Sequence, residues 1–85
     1  DFLPRHGLDS STLIELFAWD EPEFLRRTEG SAIRRIGHPA WLRNIAVALG
    51  NASDSAAAVE ALNARLGDPS DLVREHVAWA LSRHS

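Results

Sequence analysis

The arginines of this chain are the residues whose type and spacing point most directly to ligand chemistry. The net charge is −3, yet all nine basic residues are arginine, and between Phe24 and Asn51 Glu29 is the only acidic residue. Guanidinium groups bind phosphate through a planar fork and stack on nucleobases. This segment therefore favours contact with nucleic acid, although surface ion pairs explain the same pattern. Its five arginines are Arg26, Arg27, Arg34, Arg35 and Arg43.

Other residue groupings do not predict catalysis or metal binding. The close carboxylate pairs, Glu21 with Glu23 and Asp68 with Asp71, stand at predicted helix starts, where capping and the helix dipole account for them. The four histidines form no His-x-x-x-His pair, and neither a nucleophile elbow nor a phosphate loop is present. Because the chain has no cysteine, it has no thiolate nucleophile or thiolate metal ligand. We predict no catalytic, metal or cofactor-binding residue in this chain.

Two residues beside the arginines have both a structural and a functional interpretation. His38, before Pro39, is either a helix-start residue or a residue that shares a phosphate with backbone amides. Trp41, two residues before Arg43, is either a packing anchor or a platform for a flipped-out base. We expect Trp79 to pack in the core.

Caps, prolines and apolar spacing predict helices along most of the chain. The first begins after Ser10 or Ser11 and stops near Trp19. The predicted bounds of the others are Glu21–Thr28, Ala32–Ile36, Pro39–Leu49, Ala56–Leu66 and Ser70–Arg83, and Gly50 is expected to end the fourth. Their expected inward residues include Phe24, Leu25, Leu42, Ile45, Ala46, Leu49, Val59, Leu62, Leu66, Leu72, Val73, Val77, Ala80 and Leu81.

An internal repeat indicates how these helices stack. Ile36-Gly37-His38-Pro39 recurs thirty residues later as Leu66-Gly67-Asp68-Pro69. Such a period is typical of helical hairpins, and no segment alternates with a period of two. We predict an all-α, HEAT-like helical-repeat (α-solenoid) domain of about five helices, in which Arg74 forms an inter-helix salt bridge with Asp68 or Asp71.

The central block also carries a family resemblance. Residues 30–37 read Gly-Ser-Ala-Ile-Arg-Arg-Ile-Gly, and residues 41–51 read Trp-Leu-Arg-Asn-Ile-Ala-Val-Ala-Leu-Gly-Asn. This block resembles the C-terminal region of epoxyqueuosine reductases, and segments 16–19, 23–25 and 72–81 resemble its flanks. The similarity extends over nearly the whole chain, from Phe2 to His84.

The resemblance implies a parent enzyme that reduces epoxyqueuosine in transfer RNA to queuosine, using cobalamin and two 4Fe-4S clusters. The cysteines and cobalamin-binding residues of that family lie upstream of the similar region, so none of them is expected here. It further implies that residues 1–8 form a connector from an upstream catalytic domain, and that residues 9–85 form the helical-repeat domain. A monomeric, cytoplasmic protein without a membrane partner is expected.

The implied role is to pack against the catalytic domains and to help dock and position transfer RNA. The main candidates for RNA contact or domain docking are Arg34, Arg35 and Arg43, which match the family pattern position by position. Arg26 and Arg27 are weaker candidates. The alternative is a protein-interaction module with no nucleic-acid role. The response of binding to salt separates the two hypotheses, because phosphate contacts weaken steeply as salt rises.

Overall fold

The computed structural model describes residues 10–52 and 55–84, without the side chains of Ser10 and Ser55. The predicted connector, residues 1–8, lies outside this range. The described residues form five α-helices, one 3₁₀ helix and no strand, so the all-α prediction is confirmed. In chain order these are α1 (Ser10–Phe17), α2 (Glu21–Arg27), the 3₁₀ helix (Ala32–Ile36), α3 (His38–Gly50), α4 (Ser55–Asn63) and α5 (Asp71–Arg83).

Local caps explain why most boundaries fall within a residue or two of their predicted positions. At the start of α2 the side chain of Asp20 accepts a hydrogen bond from the backbone amide of Glu23 at 3.0 Å, and proline stands in the first turn. Ser31 caps the 3₁₀ helix by accepting the amide of Ile33 at 3.2 Å. Ser70 caps α5 in the same way through the amide of Val73 at 3.3 Å.

Helix α3 lies at the centre of the molecule and contacts each of the other helices, most extensively α5. Its sequence accounts for this position, because its buried residues recur in pairs four positions apart, at 41–42, 45–46 and 49–50, and form one broad face. The expected contact between α4 and α5 is present, although α5 packs more extensively on α3 than on α4. The buried core residues are Leu13, Leu16, Phe17, Phe24, Trp41, Leu42, Ile45, Ala46, Leu49, Ala58, Leu62, Val73, Val77 and Ala80.

Helix α3 ends at Gly50, as predicted, and this glycine also has a packing role. It is the last residue of α3 and is buried against α5. A Cβ atom at this position would lie 2.8 Å from Cζ3 of Trp79 and 3.0 Å from Cα of Ala80. Glycine is therefore required here because the two helices approach closely.

Three large apolar residues predicted to point inward are exposed instead. Leu25 follows the buried Phe24 and lies about 100° round the short helix α2 from it. Leu66 lies beyond the end of α4 at Asn63, outside the helical period that the prediction assumed.

Trp79 is the third of these residues and is 41% exposed. Val73, Val77 and Ala80 set the inward stripe of α5, and Trp79 lies beside that stripe. The prediction that Trp79 belongs to the core is therefore wrong.

The longest helices within the described ranges have 13 residues, whereas a membrane span needs about 20 apolar ones. None of the described helices has the length and apolar character needed to cross a bilayer.

Candidate functional site

The exposed Arg34 and Arg35 belong to the 3₁₀ helix and line an open concavity of about 720 Å³. Within the described part of the chain, neither guanidinium pairs with a carboxylate. Both are therefore available to a ligand from outside. The other residues that line the concavity are Leu25, Gly30, Ser31 and Ala32.

The backbone beneath the two arginines is fixed. The amide of Arg34 donates to the carbonyl of Ser31 at 3.2 Å, and the amide of Gly37 donates to the carbonyl of Arg34 at 3.3 Å. Ile33 packs against the core and anchors the turn from below. Gly37 leaves the turn with φ of +84°, a conformation that favours glycine. The sequence thus forms a rigid base that carries two cationic side chains.

Arg26 and Arg27 are already engaged within α2. Both form ion pairs with Glu23, and the guanidinium carbon of Arg27 lies 5.5 Å from the ring centroid of Trp19. The hydrogen bond from Arg27 holds the pKa of Glu23 below its ordinary value of 4.5. These two arginines are less available to phosphate than Arg34 and Arg35.

Arg43 lies on α3 and does not line the concavity. Its side chain is half-buried, and its Nε atom donates to Oδ1 of Asn44 at 3.0 Å. The structure therefore brings Arg34 and Arg35 together and leaves Arg43 apart from them.

Trp41 is fully buried and cannot stack on a nucleobase in this structure. Its indole nitrogen donates to the carbonyl of Leu16 at 3.4 Å, and its ring stacks on that of Trp19 at 5.6 Å between centroids. The packing-anchor interpretation is confirmed, and the base-stacking alternative is wrong. Burial follows from the position of Trp41 on the central helix, one turn before Ile45.

His38 supports the helix-start interpretation. Its Nε2 atom donates to the carbonyl of Trp19 at 2.8 Å, and its ring packs on Phe24 with centroids 5.7 Å apart. The side chain therefore ties the start of α3 to the segment that joins α1 and α2, and this ring nitrogen is not free for a phosphate.

Arg65, which no sequence pattern marked as a candidate, makes the most extensive polar contacts of the described arginines. Its guanidinium donates to the carbonyl of Phe17 at 2.8 and 3.1 Å and to that of Trp19 at 2.9 Å. It also pairs with Asp68 at 3.2 Å. The last carbonyls of a helix have no intrahelical hydrogen-bond donor. At the end of α1, the guanidinium of Arg65 supplies the missing donors. Sequence spacing gave no signal, because the partners lie 46 and 48 residues away.

Arg74 pairs with Asp71, one of its two predicted partners, but the ion pair lies within α5 and not between helices as expected; Arg74 also donates to the backbone carbonyl of Asp68. Across the ranges 10–52 and 55–84, no group of three or more histidine, aspartate or glutamate residues is arranged to hold a metal ion.

The fold and this surface define a domain whose described residues are helical and which presents two exposed arginines without a carboxylate partner among those residues. Curated proteins of similar sequence are epoxyqueuosine reductases. The chain is 63% identical to the epoxyqueuosine reductase of Pseudomonas aeruginosa over 84 residues, which make up 99% of this chain and 23% of that protein. Identity is 64% to the enzyme of Xanthomonas campestris over 99% of the chain and 24% of the relative. It is 58% to that of Escherichia coli over 98% and 22%.

The resemblance to epoxyqueuosine reductases is therefore confirmed for this segment, which spans about a quarter of the length of the curated relatives that it matches. No family model matches the chain. No solved structure matches it either.

Proposed function

We propose that this chain is the C-terminal, HEAT-like helical domain of an epoxyqueuosine reductase-like enzyme. Its role is to dock and position transfer RNA while the upstream domains of the same chain reduce epoxyqueuosine to queuosine. The identity of 55–64% to enzymes of that name supports the assignment to this type of enzyme. The internal repeat and the packed helical hairpins support the HEAT-like description.

The observation that carries the RNA role is the exposed Arg34–Arg35 pair. The two guanidiniums line one open concavity and have no carboxylate partner among the described residues. Contacts of this kind to phosphate orient a nucleic acid without identifying its bases. The domain therefore positions the substrate, and recognition of the modified base belongs to the catalytic domains.

The proposal places the redox chemistry outside this chain. Because no cysteine is present, thiolate ligands for two 4Fe-4S clusters must come from other domains of the enzyme. Cobalamin belongs to the same catalytic part in this proposal. A cytoplasmic location follows from transfer RNA as the substrate.

The test uses the full-length enzyme with Arg34→Ala and Arg35→Ala combined. We expect the KM for transfer RNA to rise about tenfold or more, because hydrogen bonds to charged groups contribute about 1.5–3 kcal/mol each. The kcat and the iron and cobalamin content should change little. Adding charge reversal at Arg43 tests whether that half-buried residue contributes.

The matched control is Arg26→Ala with Arg27→Ala, which removes two neighbouring arginines that Glu23 already engages. We expect a much smaller change in KM. An unchanged KM in the Arg34 and Arg35 variant would contradict the RNA role. The alternative, a protein-interaction module, predicts in addition that binding of the partner responds little to salt.

A further inference from the structure

A second surface lies between α3 and α5, and its chemistry differs from that of the arginine concavity. It is a groove of about 360 Å³ lined by Val47, Glu75, His76 and Trp79. Trp79 has 41% of its surface exposed. An exposed tryptophan in a concave site is the typical anchor of a protein–protein contact, because its burial there removes a large apolar surface from water. We call these four residues the Trp79 groove.

Contacts within the domain hold the side chains of the Trp79 groove in place. Gly50 allows the indole to approach the end of α3, since any Cβ at that position would lie 2.8 Å from Cζ3 of Trp79. The guanidinium carbon of Arg83 lies 5.8 Å from the indole centroid. His76 Nδ1 donates to the carbonyl of Leu72 at 2.9 Å, which fixes the neighbouring ring. A preorganised surface loses little conformational entropy when a partner covers it.

The charge at the rim restricts what can occupy the groove. Glu75 is exposed, and no cation within the described ranges pairs with its carboxylate. An unpaired carboxylate opposes the phosphates of RNA. A second copy of the chain would cover the groove in a way that depends on protein concentration, so the footprinting experiment distinguishes it. A protein surface with an apolar side chain and a neighbouring lysine or arginine complements the groove.

We propose that the Trp79 groove docks the remaining part of the same polypeptide in the full-length enzyme. An apolar side chain of that part packs between Trp79 and Val47, and a lysine or arginine beside it pairs with Glu75. This inference rests on the proposed function. Its further support is length: the chain spans only 23–24% of relatives that match it over almost all of its residues. A tethered partner is present at an effective concentration on the order of millimolar, which favours such contacts.

The first experiment is hydroxyl-radical footprinting of the full-length enzyme without RNA, with each tryptophan normalised to its rate in the denatured protein. Trp41 is fully buried and serves as the internal reference, whereas Trp79 is 41% exposed in this domain. We expect Trp79 to be oxidised about as slowly as Trp41 at every protein concentration. Oxidation of Trp79 several-fold faster than Trp41 would overturn the proposal. Protection that requires high protein concentration or added RNA would overturn it too, in favour of a second copy or RNA.

The second experiment introduces Glu75→Arg into the full-length enzyme, with Glu60→Arg on the exposed surface of α4 as the matched control. We expect Glu75→Arg to increase oxidation of Trp79 at least threefold and Glu60→Arg to leave it unchanged, while both variants keep the thermal transition of the wild type. Protection unchanged in Glu75→Arg would overturn the proposed occupant. The Arg34 and Arg35 variant should retain full protection of Trp79, so failure of the RNA role and failure of this docking are distinguishable.

Discussion

Position 50 has no room for a side chain, because the end of α3 rests directly on Trp79 and Ala80. We predict that Gly50→Ala destabilises the fold by about 1–3 kcal/mol, since the new methyl group overpacks the contact between the helices. Urea unfolding followed by circular dichroism measures the change.

Gly67→Ala is the control for this prediction, because a Cβ atom at Gly67 would have no neighbour within 4 Å and its φ is not in the left-handed region. We expect it to be neutral, or to stabilise by up to about 1 kcal/mol through the unfolded chain. Equal destabilisation by the two substitutions would show that close packing at Gly50 is not the cause.

Trp79 shows where prediction at the level of single residues failed. Local sequence suggested that Trp79 is a core residue, and it left Trp41 with both a packing and a base-contact interpretation; the structure exposes Trp79 and buries Trp41. Burial depends on which stripe of each helix meets a neighbour, and that neighbour was not known from the sequence. The exposure of Arg34 and Arg35 was easier to anticipate, because a short turn between capping residues leaves long charged side chains few places inside.

At the scale of elements, Arg65 joins the end of α4 to the end of α1. We predict that Arg65→Met destabilises the fold by about 1.5–3 kcal/mol, because the carbonyls of Phe17 and Trp19 lose a charged donor. Arg26→Met is the matched control; it breaks only an exposed ion pair and should cost less than about 1 kcal/mol. Chemical denaturation of both variants provides the comparison, and equal effects would contradict the capping role of Arg65.

The stability of helix α2 depends on pH through the carboxylate of Glu23. The pKa of Glu23 is lowered from 4.5, first by the hydrogen bond from Arg27 and further by the charge of Arg26. Because the folded state favours the ionised form, this contribution to stability is fully present above the unfolded pKa and is lost as pH falls through the lower folded pKa.

We predict that Arg27→Ala moves the titration midpoint of Glu23 upward, toward 4.5, and does so more than Arg26→Ala. NMR of the side-chain carboxyl carbon measures both midpoints. A larger shift in the Arg26 variant would contradict the assignment of Arg27 as the main cause.

Element boundaries were predictable because their signals are local. The caps of α2, the 3₁₀ helix and α5 each involve residues two or three positions apart. The contacts of Arg65 and His38 with the end of α1 were not predictable, since they join residues that are 19 to 48 positions apart. The close packing of α5 on α3 at Gly50 belongs to the same class of long-range information.

At the scale of the whole molecule, the two open surfaces differ in chemistry. The concavity of Arg34 and Arg35 is cationic, whereas the Trp79 groove is apolar with an acidic rim. A domain that binds RNA and also docks on its own catalytic domains requires two surfaces of this kind, because one surface cannot serve both partners at once. The two proposals therefore involve different residues, and each can be tested with variants that leave the other surface intact.

This separation leads to a prediction about salt. For transfer RNA and the full-length enzyme, the logarithm of the association constant should fall linearly with the logarithm of the salt concentration. Each lost phosphate contact should reduce the steepness of this line by about 1. The combined Arg34→Ala and Arg35→Ala variant should thus reduce the slope by about 2. Arg26→Ala with Arg27→Ala should reduce it by clearly less, since ion pairs with Glu23 already engage both of those side chains. Equal slopes for the wild type and the Arg34 and Arg35 variant would show that these arginines do not contact phosphate. An equal reduction of the slope in the two double variants would mean that net charge alone governs binding.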